Sequence, residues 1–291
     1  MSAITTSPSL SSDSVGSPNP TSARAGMSAA WMLARREWTR FFRQRNRVSA
    51  AIVQPLLFWM LFGTGLRGAF TVAGDQNFME FFLPGTVGLI VLFTAIFATI
   101  SVIEDRREGF MQSVLVSPVG RWPVLMGKVI GGSAIAWVQA MFFLMLVYLF
   151  GTASISSSIF LLMPLLALIA IGMCSLGMIV AWPMDSTQGF HAIMMLGLMP
   201  MWLLSGSFFP IPAWNDSTIG QMILGGMMRI NPLSYSMLEM RRLIYPEVDF
   251  SSAGFAPSSA TCWSVTIIAT IVVTLIAWRL VRGSRKVDVI V

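Results

Sequence analysis

Six apolar blocks of spanning length recur along the chain, near residues 49–66, 84–103, 124–150, 159–182, 189–209 and 261–281. A hydrocarbon core of roughly 30 Å takes about 20 such residues in a helix. Only helices and closed barrels satisfy their own backbone at that depth. The pattern therefore predicts an all-α integral membrane protein with six transmembrane helices. Gln54-Pro55 interrupts the first block. A proline is tolerated in a spanning helix where neighbouring helices re-satisfy the freed carbonyl.

Two further apolar patterns are too short or too one-sided to span. Over residues 31–47, at about 100° per residue, Trp31, Ala34, Trp38, Phe41 and Phe42 share one face. Arg36, Arg40, Arg43 and Arg47 share the other, with Arg45 the exception. This predicts an N-terminal amphipathic interfacial helix, its aromatics in the acyl boundary and its arginines toward phosphates or a protein. Over residues 210–245 the stretch 219–228 is apolar but about half a span long, so it can dip in and return. Gly225-Gly226 offers a turn and Asn231-Pro232 a stop and a fresh helix start. The second helix has Met237, Met240, Leu243 and Ile244 to face the membrane. The expected outcome is a re-entrant outer hairpin before the last span. Residues 1–26 are rich in Ser, Thr, Pro, Gly and Ala, with only Asp13 and Arg24 charged, and read as a disordered cytosolic tail. Residues 27–291 form one transmembrane domain.

Composition narrows the function. The chain is 55% hydrophobic and only 11% charged, against about 25% charged in average globular domains, and its mean hydropathy is +0.72. A cytosolic enzyme, a disordered chain and a small disulfide-stapled module are excluded. Fifteen of the 19 basic residues fall inside if the N-terminus is cytoplasmic, leaving Arg67, Arg229, Arg241 and Arg242 outside. That asymmetry predicts a plasma or inner membrane protein with both termini cytoplasmic. It also accounts for the net charge of +6 without nucleic acid. Cys174 and Cys262 form no CxxC pattern and His191 stands alone, so neither a metal framework nor a disulfide one is expected. The 22 methionines lie mostly in apolar runs, where Met packs rather than binds copper. Ion-coupled carriers need ionisable groups at membrane depth, and these spans hold almost none. Lys128 lies near the inner face, where it can snorkel. Energy for uphill movement therefore has to enter from outside the bilayer.

The loop after the second span, residues 104–121, carries Glu104-Asp105-Arg106-Arg107-Glu108-Gly109, then Leu115 to Pro118 and Arg121. A solvated charged loop and a docking surface for a soluble partner are both open readings of it. No phosphate-binding loop exists to hydrolyse ATP. The nearest approach, Gly120 to Gly127-Lys128, has six intervening residues instead of four, with Val129 where a hydroxyl is needed.

Taken in order, these pieces resemble the permease subunits of ATP-binding-cassette exporters of the type-2 (ABC-2) family. The resemblance rests on the basic interfacial helix followed by Gln54-Pro55 and Phe62-Gly63-Thr64-Gly65, and on Phe82-Leu83-Pro84-Gly85. It continues through the Glu104–Gly109 cluster, Gly127-Lys128, Leu204-Ser205-Gly206-Ser207-Phe208-Phe209-Pro210 and Asn231-Pro232-Leu233-Ser234-Tyr235. It implies a six-span half-transporter that dimerises, as a homodimer, and binds a separate ATPase subunit. That partner carries the ATP and Mg; this chain holds no cofactor. The helix with Trp31, Trp38, Arg36, Arg40 and Arg43 would be a connector. Glu104, Asp105, Arg106, Arg107, Glu108, Gly109 and Arg121 would couple to the ATPase. Ser205, Gly206, Phe208, Phe209, Pro210, Asn231 and Pro232 would form the outer gate. Spans one, two and five would line the path for a hydrophobic or amphipathic cargo such as a drug, lipid or glycan. Phe110 and Met111 depart from the family, which commonly has Thr after that glycine. The stretch 215–230 is also longer than in compact members.

Two other classes compete. A membrane-embedded enzyme needs a nucleophile and base at hydrogen-bond distance. His191 and Ser205 are separated by about 21 Å along one helix. A non-transporting scaffold or assembly factor shares the six-span layout, and ATP-dependent movement of a solute separates it from a permease.

Overall fold

The computed structural model describes residues 20–66, 78–111, 121–150, 158–212, 218–248 and 255–283. Among these residues every regular element is a helix. In chain order they are α1 (Pro20–Arg43), α2 (Arg45–Gly65), α3 (Phe78–Ala98), α4 (Ile100–Arg107) and α5 (Trp122–Leu149), followed by α6 (Ile159–Ala181) and α7 (Thr187–Trp202). A π-turn over Leu203–Ser207 follows α7, and α8 (Ile219–Ile230), α9 (Pro232–Ile244) and α10 (Ser259–Gly283) complete the chain. Five helical stretches are long and apolar enough to cross a membrane: Phe78–Arg107, Trp122–Leu149, Ile159–Ala181, Thr187–Ser207 and Ser259–Gly283. They match the second to sixth predicted blocks. The first block is represented by α2, which contains Pro55 and whose apolar part, Ile52–Gly65, is shorter.

The centre of the bundle is α3, packed against α2, α5, α6 and α9. Phe82, Leu83, Val87, Val91, Leu92, Ala95 and Ile96 on it are fully buried. At the periphery α10 exposes Ile268, Ile271, Leu275 and Ile276 along its length. Such a surface is stable only against lipid or another apolar face.

Two expectations change. Helix α1 begins at Pro20, inside the segment expected to be a tail, and stops at Arg43. Its buried stripe is Gly26, Ala30, Ala34, Glu37 and Phe41, whereas Trp31 is 68% exposed. The stripe follows small residues because α1 lies directly along α5 at Gly127 and Gly131. A Cβ at Gly127 would sit 2.6 Å from Leu33 Cβ and 2.8 Å from the Ala30 carbonyl. A Cβ at Gly131 would sit 3.1 Å from the Ala34 carbonyl. Small residues four apart allow this approach of two helix backbones. Gly127→Ala is expected to cost about 1–2 kcal/mol by overpacking and to free α1 for proteolysis; unchanged protease protection of α1 would contradict this packing.

The second change concerns α9. Met237, Met240 and Ile244, expected to face the membrane, are buried inside the bundle at 1%, 0% and 2% exposure. They pack against α3, α6, α10 and the π-turn. The exposed apolar face belongs instead to α8, through Ile219, Ile223 and Ile230.

Candidate functional site

At one end of the bundle a buried carboxylate organises a charged hub. Asp105, near the end of α4, is completely buried. It accepts both arms of the Arg36 guanidinium at 2.9 and 2.8 Å, Arg40 Nη1 at 3.2 Å, and Lys128 Nζ. Lys128 also donates to Glu37 at 2.6 Å and to Ser101 at 2.9 Å. Arg40 reaches Glu104 at 2.7 Å and lies 3.8 Å from Glu108. Charges this deeply buried persist only when paired and hydrogen-bonded on nearly every valence. The hub supplies that with three cations against Glu37, Asp105, Glu104 and Glu108. The hydrogen bond to Asp105 raises the Arg36 pKa further, against the opposing effect of burial. Arg36 also sits 3.9 Å above the Phe110 ring. Phe110 thus covers the hub as a cation–π lid. Gly109, at φ +75°, makes the reversal that brings Phe110 back over α1.

The predicted cluster therefore splits between two neighbours. Glu104, Asp105 and Glu108 turn to α1. Arg106 donates to the Trp182 carbonyl at 2.5 Å, the Met184 carbonyl at 3.3 Å and Asp185 at 3.3 Å. Arg107 donates to the Asp185 carbonyl at 3.0 Å. These two arginines fasten α4 to the link between α6 and α7. Arg121 donates to the Val281 carbonyl near the end of α10 at 3.2 Å. Of the interfacial set, Arg36 and Arg40 point into the hub, Arg43 is exposed and Trp38 rests on Phe42 at 5.0 Å. Residues 112–120 and the side chains of Arg45 and Arg47 lie outside the described residues. Sequence reasoning missed Glu37 and took Lys128 for a snorkelling residue. Both are buried, because the nearby carboxylate stabilises the ammonium better than the route to water does. The usable signal was a lone acid, Glu37, in register with Ala30, Ala34 and Phe41.

Above the hub, an apolar cavity of about 510 Å³ opens between α2, α3 and α7. Pro55, Phe58 and Phe62 line it from α2, Phe93, Thr94 and Phe97 from α3, and Met195, Met199 and Trp202 from α7, with Ile135 behind. Its lining among the described residues includes no charged side chain. Spans one, two and five were the ones expected to line a path.

An aromatic cluster caps the far end. The Phe208 ring lies 5.6 Å from Phe62, 5.4 Å from Phe82 and 6.3 Å from Trp202, all near edge-to-face. Trp202 Nε1 donates to the Gly85 carbonyl at 2.9 Å. The cap is aimed by the π-turn, where Gly206 takes φ +74°. Only glycine holds that conformation cheaply. Arg241, buried and stacked 4.0 Å over Phe81, donates to the Gly206 carbonyl at 3.1 Å and to the Phe81 carbonyl at 3.3 Å. Ser205 bonds the Trp202 carbonyl and Ser207, each at 2.5 Å. Asn231 caps α9 by accepting from Leu233 N–H at 3.0 Å and donates to the Met201 carbonyl at 2.7 Å. Pro232 takes the first position of α9, while Phe209 and Pro210 are exposed where the chain leaves the turn. His191 is occupied elsewhere, near the start of α7, with the Thr187 carbonyl at 2.7 Å and the Phe97 ring at 5.2 Å.

Among the described residues, a helical bundle with five helices long and apolar enough to cross a membrane, a charged hub at one end and a capped apolar cavity is the architecture of a multi-pass membrane protein. The chain belongs to the ABC-2 type transporter family, which it matches over residues 28–245, and it is a permease of that family. It is 25% identical over 256 residues to a protein of Cyanophora paradoxa named "Putative transport permease ycf38", covering 84% of this chain and 83% of that one. Proteins of the same name from Porphyra purpurea and Pyropia yezoensis are 24% and 25% identical. They cover 75% and 81% of this chain, and 74% and 79% of their own lengths.

Proposed function

We propose that this chain is the membrane half of an ATP-driven exporter for hydrophobic or amphipathic solutes. In this reading α2 spans the membrane as the first of six, α8 and α9 form a re-entrant hairpin on the outer side, and both termini are cytoplasmic. Two copies pair in the plasma membrane. A separate ATPase subunit, carrying ATP and Mg, docks at the cytoplasmic hub and the coupling segment beside it. Substrate enters the cavity between α2, α3 and α7 and leaves through the Phe208 cap.

The observation that carries this reading is the continuity between hub and cavity. Phe97 and Ala98, at the end of α3, line the cavity. Asp105 lies two turns further along the same path, on α4, tied to α1. The helix path breaks at Thr99, whose hydroxyl caps the Ile96 carbonyl at 2.6 Å. A push on α1 and α4 reaches the cavity wall through packed helix with one hinge.

The test is purification from native membranes in mild detergent, with co-purifying proteins identified by mass spectrometry, then ATP-dependent efflux of a lipophilic dye from proteoliposomes. A stoichiometric subunit with a phosphate-binding loop and ATP-dependent efflux are expected; repeated recovery without an ATPase would favour a scaffold. Reversing Arg106 or Arg107 would also break the link to residues 182–185, so Glu108, whose side chain is 60% exposed, is the cleaner probe of docking. Glu108→Gln, which removes the charge without adding a cation beside Arg40, is expected to weaken ATPase capture by about threefold to tenfold with the thermal midpoint little changed. Equal capture at low salt would remove Glu108 from the docking surface.

A further inference from the structure

Two polar side chains line the cavity, Gln54 on α2 and Thr94 on α3, and the second belongs to a buried polar seam. Thr94, which lines the cavity, donates to Gln139 Oε1 at 2.5 Å. Gln139 is on α5, one helical turn beyond the cavity-lining Ile135, and is only 8% exposed. A Thr–Gln bond between α3 and α5 is useful glue at membrane depth, but it satisfies only the carbonyl half of the amide. The Nε2 group, with two N–H donors, is buried with no hydrogen-bond partner among the described residues. Unmet donors in an apolar wall are costly and rare. Exchanging the amide's O and N leaves the seam unmet as well, because Thr94 Oγ1 would then accept from Nε2 and turn its own O–H toward the cavity. In either orientation the pair leaves two donors unmet: both N–H groups in the first, one N–H and the Thr94 O–H in the second. The terminal amide torsion is broad, so an N–H can turn toward the cavity when the bond it makes to a ligand offsets any weakening of the Thr94 contact.

We propose that Gln139 is a specificity-determining residue of this cavity. With Thr94 orienting it, the amide donates a hydrogen bond to an acceptor oxygen (carbonyl, ether or hydroxyl) on an uncharged aromatic ligand. The ligand is uncharged because the lining offers no counter-charge, so a carboxylate or ammonium would be desolvated unpaired. It is aromatic because Phe58, Phe93, Phe97 and Trp202 present ring surfaces around the seam. This inference rests on the reading of the cavity as the substrate path.

The probes are 9-fluorenone and fluorene, which share one tricyclic frame and differ in a single carbonyl oxygen. Binding is measured on the full chain in lipid nanodiscs, with empty nanodiscs subtracted, and bound ligand is located by competition with Met199→Trp, which fills the cavity. The wild-type chain is expected to prefer fluorenone. Gln139→Met, similar in shape but without donors, is expected to cut that preference by about threefold to tenfold while fluorene binds as before. Gln139→Asn, which keeps a donor, is expected to retain part of it. If Gln139→Met does not fold, Thr94→Val serves, with a smaller drop expected because the donor stays and only its orientation is lost. A wild-type chain without preference, in which water alone meets the amide, overturns the proposal. So does an unchanged preference in Gln139→Met, or equal loss of both ligands, which would make Gln139 a structural cross-link. Binding of neither compound to the wild type overturns the cavity reading itself, an outcome distinct from loss of the anchor alone.

Discussion

Asp105→Asn is expected to destabilise the folded chain by about 3–5 kcal/mol, the cost of stranding buried charges by removing their partner. The side chain keeps its shape, so packing is preserved while the one carboxylate shared by Arg36, Arg40 and Lys128 disappears. Arg36 and Arg40 are partly exposed and can turn toward water. Lys128, at 2% side-chain exposure, cannot, and is left with Glu37 and Ser101. The loss is read as a fall in the thermal midpoint in detergent and in the yield of folded protein. A double-mutant cycle supplies the stricter check. Lys128→Met alone leaves Asp105 with two arginines and Glu37 with Arg36 3.9 Å away, and should cost less. Asp105→Asn with Lys128→Met should fall short of the summed single effects by at least about 1 kcal/mol. Additive effects would mean that the two side chains are neighbours without being energetically coupled.

Gly206→Val is expected to be the next most damaging single change. A β-branched residue at φ +74° is strained by about 1–3 kcal/mol, and the added Cβ meets Ile211 Cγ1 at 3.2 Å. We expect a total near 3 kcal/mol once that overpacking is included. The turn can relieve the strain only by rotating, which moves the Gly206 carbonyl off Arg241 and swings Phe208 away from Phe62, Phe82 and Trp202. The cap should then open without the hub being touched. A cysteine placed in the cavity, Met199→Cys, reports this, because the native Cys174 and Cys262 are both buried. Labelling by a membrane-impermeant maleimide added on the Phe208 side should rise well above that of the same cysteine beside Gly206. Equal labelling rates would show that the turn does not hold the cap.

Much of the architecture was legible along the chain. Five apolar runs became helices long and apolar enough to cross a membrane, within about six residues of their predicted ends, because hydropathy over about 20 residues is a local property that the bilayer reads directly. Asn231-Pro232 starts α9 where capping chemistry says it should, since Asn accepts the second N–H of the helix and Pro needs no partner for its own. The order of motifs also sufficed to place the chain beside the ABC-2 permeases.

What the sequence by itself determined, then, is most of the helical segments and which of them are long and apolar enough to cross a membrane. It did not place every turn, since Gly225-Gly226, expected to turn, lies inside the continuous helix α8, where the helical run of apolar neighbours carries through both glycines. Only the tertiary structure decided which face of each helix is buried, and so which charges meet. Periodicity put the aromatic face of α1 in the acyl boundary and its arginines opposite, but it did not show that α5 offers Gly127 and Gly131, where the small-residue stripe with Glu37 packs. That packing brings Arg36 onto Asp105, 69 residues away, and Glu37 onto Lys128, 91 residues away. The tertiary structure also turned the methionines of α9 into the bundle and left the isoleucines of α8 outside. Helix formation depends on near neighbours in the chain, whereas these pairings depend on where two helix axes cross, and the crossing is set by close packing between segments that share no local pattern.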